Sequence, residues 1–221
     1  MKKIFFLKFL IILFTLSAYT QVDSILSESE FRAFEKDGNI FVAFSDGTEK
    51  QLTFTQKDEK PTLLKSKNQV VFLRNEKFLT GGVESFKKKI MKVGINTYFE
   101  ETISEQKPFK DGLENTYDIL RVDNPALSAD ENFLYFITDH TATSSILIKL
   151  DLESGEWHEL FSAENYELLT SGPFENYFII ARKESPSRGG GIFYYLVDET
   201  GKKYKEFDSE ESVEQFKKSI E

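Results

Sequence analysis

Alternating apolar and polar positions fall into four similar stretches along the chain. Each stretch begins with an apolar strand pattern, passes through a polar turn that contains glycine, and continues as a second strand of mixed charge. Alternation with a period of two is typical of half-buried β-strands, and glycine accepts the positive φ that tight hairpin turns need. The pattern therefore predicts four β-hairpins, at residues 40–54, 90–103, 146–161 and 192–207.

These hairpins recur at a spacing that is typical of a repeat protein. They start at residues 40, 90, 146 and 192, which corresponds to one unit per roughly 45 residues plus insertions. A second set of positions recurs in phase, because Pro61 and Pro125 each stand eleven residues before a phenylalanine, Phe72 and Phe136. Units of this size are typical of β-propeller blades, each of which is a four-stranded antiparallel sheet.

Two of the repeat segments resemble the repeat of TolB-like β-propellers. That family's pattern runs Q-L-T, a short gap, P-x-W/F-S-P-D-G, and an apolar strand that ends in Phe. Here QLT at residues 51–53 precedes KPTL at residues 60–63, and a second copy, PALSADE, occupies residues 125–131. Ala129 and Glu131 replace the Pro and Gly of the pattern, and the first copy has KSKN at residues 65–68 in place of S-P-D-G. The resemblance covers about residues 30–207, and it implies four-stranded antiparallel blades and an exported setting.

The length of the repeat region limits the number of blades. Residues 30–207 hold about four blades, whereas TolB-like propellers usually have about six. Residues 30–35 read as one strand that enters the first hairpin through Asp37-Gly38, so the first blade is one strand short unless the chain end closes the ring. We therefore expect an all-β fold, a small or incomplete β-propeller of about four antiparallel four-stranded blades.

A helical pattern follows the last hairpin, in residues 208–221. Ser209 or Ser212 can cap its start, acidic residues fill its first turn and lysines its last turn. One apolar stripe has helical spacing and consists of Val213, Phe216 and Ile220. We expect a short C-terminal helix that packs on the outside of the sheets.

The first twenty residues read as a secretory signal peptide. Lys2-Lys3 gives the positive start, residues 4–16 form an apolar run, and small residues precede Gln21. The alternative is an uncleaved membrane anchor, although an apolar run of 13 residues is short for a span that needs about 20. We expect cleavage before Gln21, residues 21–29 as a linker, export to the periplasm or the extracellular space, and no stable membrane insertion afterwards.

Charge and composition exclude several kinds of function. The chain has 28 basic and 37 acidic side chains, a net charge of −9, and loss of the three lysines of the signal peptide would take it to −12. Such a balance repels phosphate backbones, so a nucleic-acid partner is not expected. The chain has no cysteine, which excludes disulfides, thiolate metal sites and cysteine nucleophiles.

Residues with catalytic potential are few and scattered. The only two histidines are His140, in a polar segment with Asp139 and Ser144, and His158, which follows Trp157 on a predicted strand. An Asp-His-Ser cluster around His140 is one interpretation, and a solvated loop is the simpler one. The glycine-rich residues 187–191 precede a strand rather than a helix, so they lack the context of a phosphate-binding loop.

The function that we expect from these observations is binding without catalysis. Propellers hold rigid blades and vary their loops, so a protein or another envelope or extracellular ligand would be bound there. Candidate binding residues are Trp157, as the aromatic residue best suited to an exposed position, His140, and Arg188 in the glycine-rich segment. No cofactor and no metal are expected. Two alternatives stay open: a hydrolase that uses paired carboxylates on sugar or peptide, and a structural accessory of a cell-envelope complex.

Overall fold

Antiparallel strands make up nearly all of the regular secondary structure in the described part of the chain. The computed structural model describes residues 31–220 apart from residues 81–82, 105–108, 111–115, 118–121, 142–143 and 185–189. The described residues form one three-stranded sheet, three four-stranded sheets and one two-stranded pair. The predicted signal peptide and linker lie outside the described residues.

The strands are numbered in chain order. The first sheet holds β1 (Arg32–Lys36), β2 (Asn39–Ala43) and β3 (Glu49–Gln51). The second holds β4 (Asp58–Leu64), β5 (Gln69–Thr80), β6 (Val83–Gly94) and β7 (Glu100–Ser104), and the small pair β8 (Phe109–Lys110) and β9 (Thr116–Tyr117) follows it. The third holds β10 (Asp123–Leu127), β11 (Phe133–Thr141), β12 (Ser144–Asp151) and β13 (Trp157–Ser162). The fourth holds β14 (Asn165–Leu168), β15 (Phe178–Glu184), β16 (Gly191–Val197) and β17 (Lys203–Phe207), with a short 3-10 turn at Gly172–Phe174, and helix α1 (Glu210–Ile220) ends the described chain.

Each sheet is an up-and-down meander, since strands that are consecutive in sequence pair antiparallel with one another. The four predicted hairpins are confirmed as β2–β3, β6–β7, β12–β13 and β16–β17. The prediction of an all-β, incomplete propeller is also confirmed, with a first blade that has one strand fewer than the other three.

The hydrophobic core lies between neighbouring sheets. Alternate residues of one strand serve two interfaces: in β5, Val70 and Phe72 pack toward the first sheet, whereas Val71 and Leu73 pack toward the third. The third and fourth sheets are joined by an aromatic cluster in which Tyr135 lies edge-on to Phe178, with 5.0 Å between ring centroids. Because the central strands are buried on both faces, they read as nearly continuous apolar runs.

Helix α1 covers the outer face of the fourth sheet, as predicted. Its first turn is capped reciprocally, because the backbone N–H of Ser212 donates to Ser209 Oγ and that of Ser209 donates to Ser212 Oγ, each at 3.2 Å. Val213 is 5% exposed and packs with Leu196 and Phe207 of the sheet. The helix thus occupies the face against which a further blade would pack.

We expect Val213→Asp to lower the free energy of unfolding by about 3 kcal/mol, because the new carboxylate would be buried without a partner. Gln215 is exposed on the other side of the same helix, so Gln215→Asp should stay within about 0.5 kcal/mol of the original protein. Urea unfolding of both variants measures the difference. Equal effects of the two substitutions would contradict the packing of α1 on the sheet.

The turn from β10 to β11 explains which residues of the repeat pattern matter. Ser128 Oγ donates to Asp130 Oδ1 at 2.6 Å, and the backbone N–H of Asn132 donates to the same oxygen at 3.1 Å. These hydrogen bonds, that of Ser128 foremost, hold the pKa of Asp130 below its usual value. The serine and aspartate of the pattern are therefore the residues that close this turn.

Glu131 has a role that the repeat pattern does not contain. It stands where the pattern has glycine, at a φ of 57°, and a side chain in this left-handed region costs roughly 1 kcal/mol. Its carboxylate reaches back to the second sheet, where it accepts hydrogen bonds from the backbone N–H groups of Lys65 and Ser66 at 3.0 and 2.9 Å and from Ser66 Oγ at 2.6 Å. Glu131 therefore links the turn of the third blade to the degenerate turn of the second.

Two substitutions at Glu131 distinguish the stability contributed by its hydrogen bonds from the stability lost to its strained backbone. Glu131→Ala keeps the strained φ and loses the three hydrogen bonds, so we expect it to lower the free energy of unfolding by about 1–2 kcal/mol. Glu131→Gly loses the same bonds but relieves the strain, and it should be about 1 kcal/mol more stable than Glu131→Ala. The exposed Glu156→Ala is the control in the same urea titration. An alanine variant as stable as the original protein would show that the link contributes nothing.

Candidate functional site

The connections between strands separate into two rims with different character. One rim, called here the turn rim, carries the tight turns at residues 44–48, 65–68, 95–99, 128–132, 152–156 and 198–202, and also the longer connection from β14 to β15 at residues 169–177. Neighbouring turns on it are bonded to each other, because the backbone N–H of Ile95 donates to Asn68 O and that of Leu152 donates to Asn132 O, both at 3.0 Å. The opposite rim, called the long-connection rim, carries the connections β5–β6, β11–β12 and β15–β16 and the chain between β7 and β10, which is the longest connection at residues 105–122. This connection and the long hairpin of β5 and β6 make the rim the better candidate for recognition.

A two-stranded ribbon projects from the long-connection rim. β5 and β6 are each twelve residues long, but β4 pairs with β5 only up to Arg74 and β7 pairs with β6 only from Ile90. Among the described strands, the backbone of residues 76–80 pairs only with that of residues 83–87, and residues 76–87 are called the ribbon from here on. Leu79 of the ribbon is 73% exposed, and Lys77 forms a surface ion pair of 3.3 Å with Glu84.

Ion pairs fix the base of the ribbon to the second sheet. The guanidinium of Arg74 donates to both carboxylate oxygens of the buried Asp58, at 2.6 and 3.0 Å, and to Glu100 Oε2 at 2.6 Å. Burial alone would lower the pKa of Arg74, but its two carboxylate partners outweigh burial and raise it. Lys88 and Lys89 pair with Glu59 and Glu76 at 2.6 and 2.7 Å. A bidentate pair of this kind sets direction as well as charge, so the ribbon leaves the sheet from a rigid base.

One of the three sequence-predicted binding residues, His140, belongs to the long-connection rim. His140 lies in β11 next to the connection to β12, and its register there, with Asp139 opposite Ser145 and Thr141 opposite Ser144, makes it the extra residue of a β-bulge. Arg188 lies outside the described residues, in the connection from β15 to β16. The strand that was predicted to follow the glycine-rich segment is confirmed and begins at Gly191.

Trp157, the third predicted residue, is at the opposite rim and is not freely exposed. It starts β13, next to the turn at residues 152–156, and is half-buried against the core between the second and third sheets. Its ring stands edge-on to that of Phe136, with 5.5 Å between centroids. The Nε1 atom is buried and has no hydrogen-bond partner among the described residues. The structure thus does not bring Trp157 together with His140.

A buried tyrosine joins the third and fourth sheets at the turn rim. The Tyr135 hydroxyl donates to Glu199 Oε1, and Lys149 Nζ lies 2.8 Å from Glu199 Oε2 and 3.8 Å from the centre of the Phe133 ring. Burial, and secondly the carboxylate, raise the pKa of Tyr135 well above its usual value, so the phenol stays a hydrogen-bond donor. The phenol of Tyr135 and the ammonium of Lys149 both bind the carboxylate of Glu199, so these polar contacts link the third sheet to the fourth.

The inner strands of the second and third sheets carry the same irregularity next to their prolines. Lys60 and Asn124, which precede Pro61 and Pro125, have φ values of 51° and 50°, and each strand shifts register there. A shallow cavity of about 240 Å³ lies between the two strands, lined by these four residues and Thr62. The repeated prolines of the sequence therefore mark β-bulges in the inner strands.

Neither a metal-binding group of side chains nor a helix that could cross a membrane is found in the part of the chain that the structure describes. No group of three or more His, Asp or Glu side chains among those residues is placed to hold a metal ion. The helices described there are too short or too polar to cross a membrane.

Comparison with known proteins gives similarity in structure but not in sequence. No protein-family model matches the chain, and no curated protein matches it in sequence. Among solved structures, the chain is similar to TolB from Acinetobacter baumannii, with a TM-score of 0.50 at 15% identity over 77% of this chain and 39% of TolB. It is also similar to a puromycin hydrolase, with a TM-score of 0.54 at 17% identity over 79% of this chain and 28% of that protein. Dipeptidyl peptidase 4 from Porphyromonas gingivalis matches with a TM-score of 0.50 at 12% identity over 81% of this chain and 31% of that enzyme.

These likenesses bear on the fold. The chain spans less than half the length of each of the three proteins, and the three include a protein named TolB as well as two enzymes. The similarity to TolB and the meander of four-stranded antiparallel sheets together show a TolB-like, propeller-type fold.

Proposed function

We propose that this chain is an exported, non-catalytic binding module that recognises a protein or another envelope or extracellular ligand through its long-connection rim. The observation that carries the proposal is the ribbon. It extends beyond its sheet and exposes Leu79 at its far end, while its base is held by the bidentate Arg74–Asp58 pair. A rigid scaffold that presents a protruding element is the usual arrangement of a recognition surface.

The energetics of the ribbon support a role outside the fold. An isolated two-stranded hairpin is at best marginally stable in water, because it buries little apolar surface for the backbone that it orders. In the part of the chain that the structure describes, no other strand pairs with the backbone of the ribbon, and its leucine faces solvent. Contact with a partner would bury this leucine and the backbone edges of the ribbon.

Removal of the ribbon is expected to abolish binding without unfolding the protein. In the variant, Asn-Gly replaces residues 76–87 and joins Asn75 to Lys88, which are paired in the present structure, through a two-residue hairpin turn. Because none of the core residues that the structure describes belongs to the ribbon, the free energy of unfolding should change by less than about 1 kcal/mol. Urea unfolding measures stability, and affinity capture from an envelope extract measures binding.

Site-specific photocrosslinking locates the contact and supplies a matched control. A photoreactive phenylalanine analogue at Leu79 should crosslink a discrete partner, whereas the same analogue at Phe99, which is 69% exposed on the turn rim, should not. Equal crosslinking at both positions, or capture that survives removal of the ribbon, would contradict the proposal. A turnover on a hydrolase panel that is lost with one Asp or Glu substitution would favour the catalytic alternative.

Export has its own test, independent of the ribbon. We expect export because the chain begins with Lys2-Lys3, continues with an apolar run, and has small residues before Gln21. Protein made in an exporting host should leave the cytoplasm with an N-terminus at or near Gln21, as read by N-terminal sequencing. A chain that keeps Met1 and stays in the cytoplasm would overturn the compartment proposed here.

A further inference from the structure

A second apolar side chain is exposed on the long-connection rim. Residues 52–57 connect β3 to β4, and Phe54 in this connection is 72% exposed. The turn between β2 and β3 belongs to the turn rim, so β3 leads away from that rim and the turn between β1 and β2 lies at its opposite end. The connection ends beside the latter turn, because the backbone N–H of Asp58 donates to Gly38 O at 2.8 Å. Phe54 therefore lies on the same side of the molecule as the ribbon.

The connection also contacts the base of the ribbon. The backbone N–H of Asn75, the residue before the ribbon, donates to Lys57 O at 2.8 Å. Leu79 lies four residues further along β5, which is about 13 Å in an extended strand. Phe54 and Leu79 therefore belong to two elements that are hydrogen-bonded to each other at the base of the ribbon.

The backbone before Phe54 is held by the first sheet. Leu52 and Thr53 are both buried, and the backbone N–H of Leu52 donates to Ile40 O at 2.8 Å. The Thr53 hydroxyl accepts the backbone N–H of Ile40 at 2.9 Å, while Thr53 O accepts from the side-chain amide of Gln51 at 2.8 Å. Phe54 thus leaves the sheet from two residues whose positions are fixed.

The backbone after Phe54 is held by the turn between β1 and β2. Gln56 has a φ of 58°, and its backbone N–H donates to Oδ1 of the buried Asn39 at 3.0 Å. Gly38 lies so close to Gln56 that a Cβ on the glycine would be 2.7 Å from the Gln56 carbonyl. Because both ends of the connection are fixed, a contact made by Phe54 would cost little backbone entropy.

The fold of the described residues gives no reason for the exposure of this ring. Burial of a phenylalanine side chain is among the larger apolar contributions to stability, and Phe54 forgoes most of it while its neighbours Leu52 and Thr53 are buried. Aromatic side chains that enter a pocket of a partner carry much of the binding energy of protein interfaces. A rigidly held and exposed phenylalanine has the properties of such an anchor.

We propose that Phe54 and Leu79 are two anchors of one protein-binding surface, and that the partner is a protein with an apolar pocket for each of them. The inference rests on the binding function proposed above and deepens it by naming the class of partner. Two anchors on separate elements, one of them about 13 Å beyond the base of the ribbon, suit a protein surface better than a single small ligand. A lipid surface is less suitable, because membrane-bound surfaces combine apolar residues with an excess of lysine and arginine, whereas this chain has a net charge of −9.

Two alanine variants of the full chain measure the contribution of Phe54. Phe54→Ala and Phe99→Ala each remove one exposed ring, so neither should shift the midpoint of urea unfolding measurably. Phe54→Ala should weaken binding of the protein that crosslinks at Leu79 by at least about tenfold. Phe99→Ala, on the turn rim, should leave binding unchanged within about twofold. Titration of the purified partner against each variant gives the dissociation constants.

Crosslinking locates the contact without relying on affinity. The photoreactive phenylalanine analogue at position 54 keeps an aromatic ring there. In an envelope extract it should crosslink the same protein that the analogue at Leu79 crosslinks. Mass spectrometry of the two products should place them at two different apolar sites on that protein.

The outcomes distinguish this inference from the proposed function. A crosslink at Leu79 and capture that depends on the ribbon, with no crosslink at Phe54 and unchanged binding of Phe54→Ala, would overturn the inference and leave the proposed function intact. Crosslinking of two different proteins at the two positions would also overturn it. No crosslink at either position would contradict both. Sedimentation with vesicles of phosphatidylethanolamine and phosphatidylglycerol that Phe54→Ala abolishes would replace the protein partner with a lipid surface.

Discussion

Face-to-face burial of neighbouring sheets is the constraint on which the rest of the structure depends. Val70 and Val71 are adjacent in β5, yet one packs toward the first sheet and the other toward the third. A sheet with two apolar faces is stable only when both are covered, because each exposed face forfeits the hydrophobic contribution of its side chains. Closed propellers meet this condition by completing a ring, whereas an incomplete one has two end faces that need another cover.

The two ends of this stack meet the requirement differently. At the C-terminal end, helix α1 turns its apolar stripe to the fourth sheet, and Val213 and Phe216 take the place of a following blade. At the N-terminal end, the first sheet turns Phe34 and Phe41 outward, where their rings stack at 5.5 Å and both are half-buried. Terminal units with an altered outer face are a general feature of repeat proteins, and α1 serves as such a cap here.

Polar contacts then set the alignment of the blades, which apolar packing alone leaves loosely specified. Glu131 holds the turn of the preceding blade, and Glu199 accepts from Tyr135 and pairs with Lys149 across the next interface. Both carboxylates lie in turns of the turn rim. Their bonds make that rim the fixed side of the molecule and leave the long-connection rim free to carry the ribbon.

Local sequence determined the secondary structure of this protein. Hairpins, the C-terminal helix and the short first blade follow from strand alternation, turn glycines and helix capping, which act over a few residues. Propeller architecture followed from the repeat spacing for the same reason, since each blade is one such local unit.

Contacts between distant residues decided the rest. From the sequence alone, Glu131 is only a departure from the glycine of the repeat pattern. In the structure its carboxylate accepts hydrogen bonds from Lys65 and Ser66, which lie more than sixty residues earlier in the chain. Trp157 suits an exposed position by sequence, yet its ring is half-buried and packs edge-on against Phe136, which lies two strands away in the same sheet. The sequence did not predict the ribbon, because residues 76–89 mix lysine, glutamate and apolar side chains without a regular pattern. The length of the ribbon follows only from the pairing of the outer strands, since β4 pairs with β5 up to Arg74 and β7 pairs with β6 from Ile90. The hydrophobic periodicity of a strand shows which of its faces is apolar. Which side chains of different blades contact one another depends on how the sheets stack, and the periodicity does not contain that information.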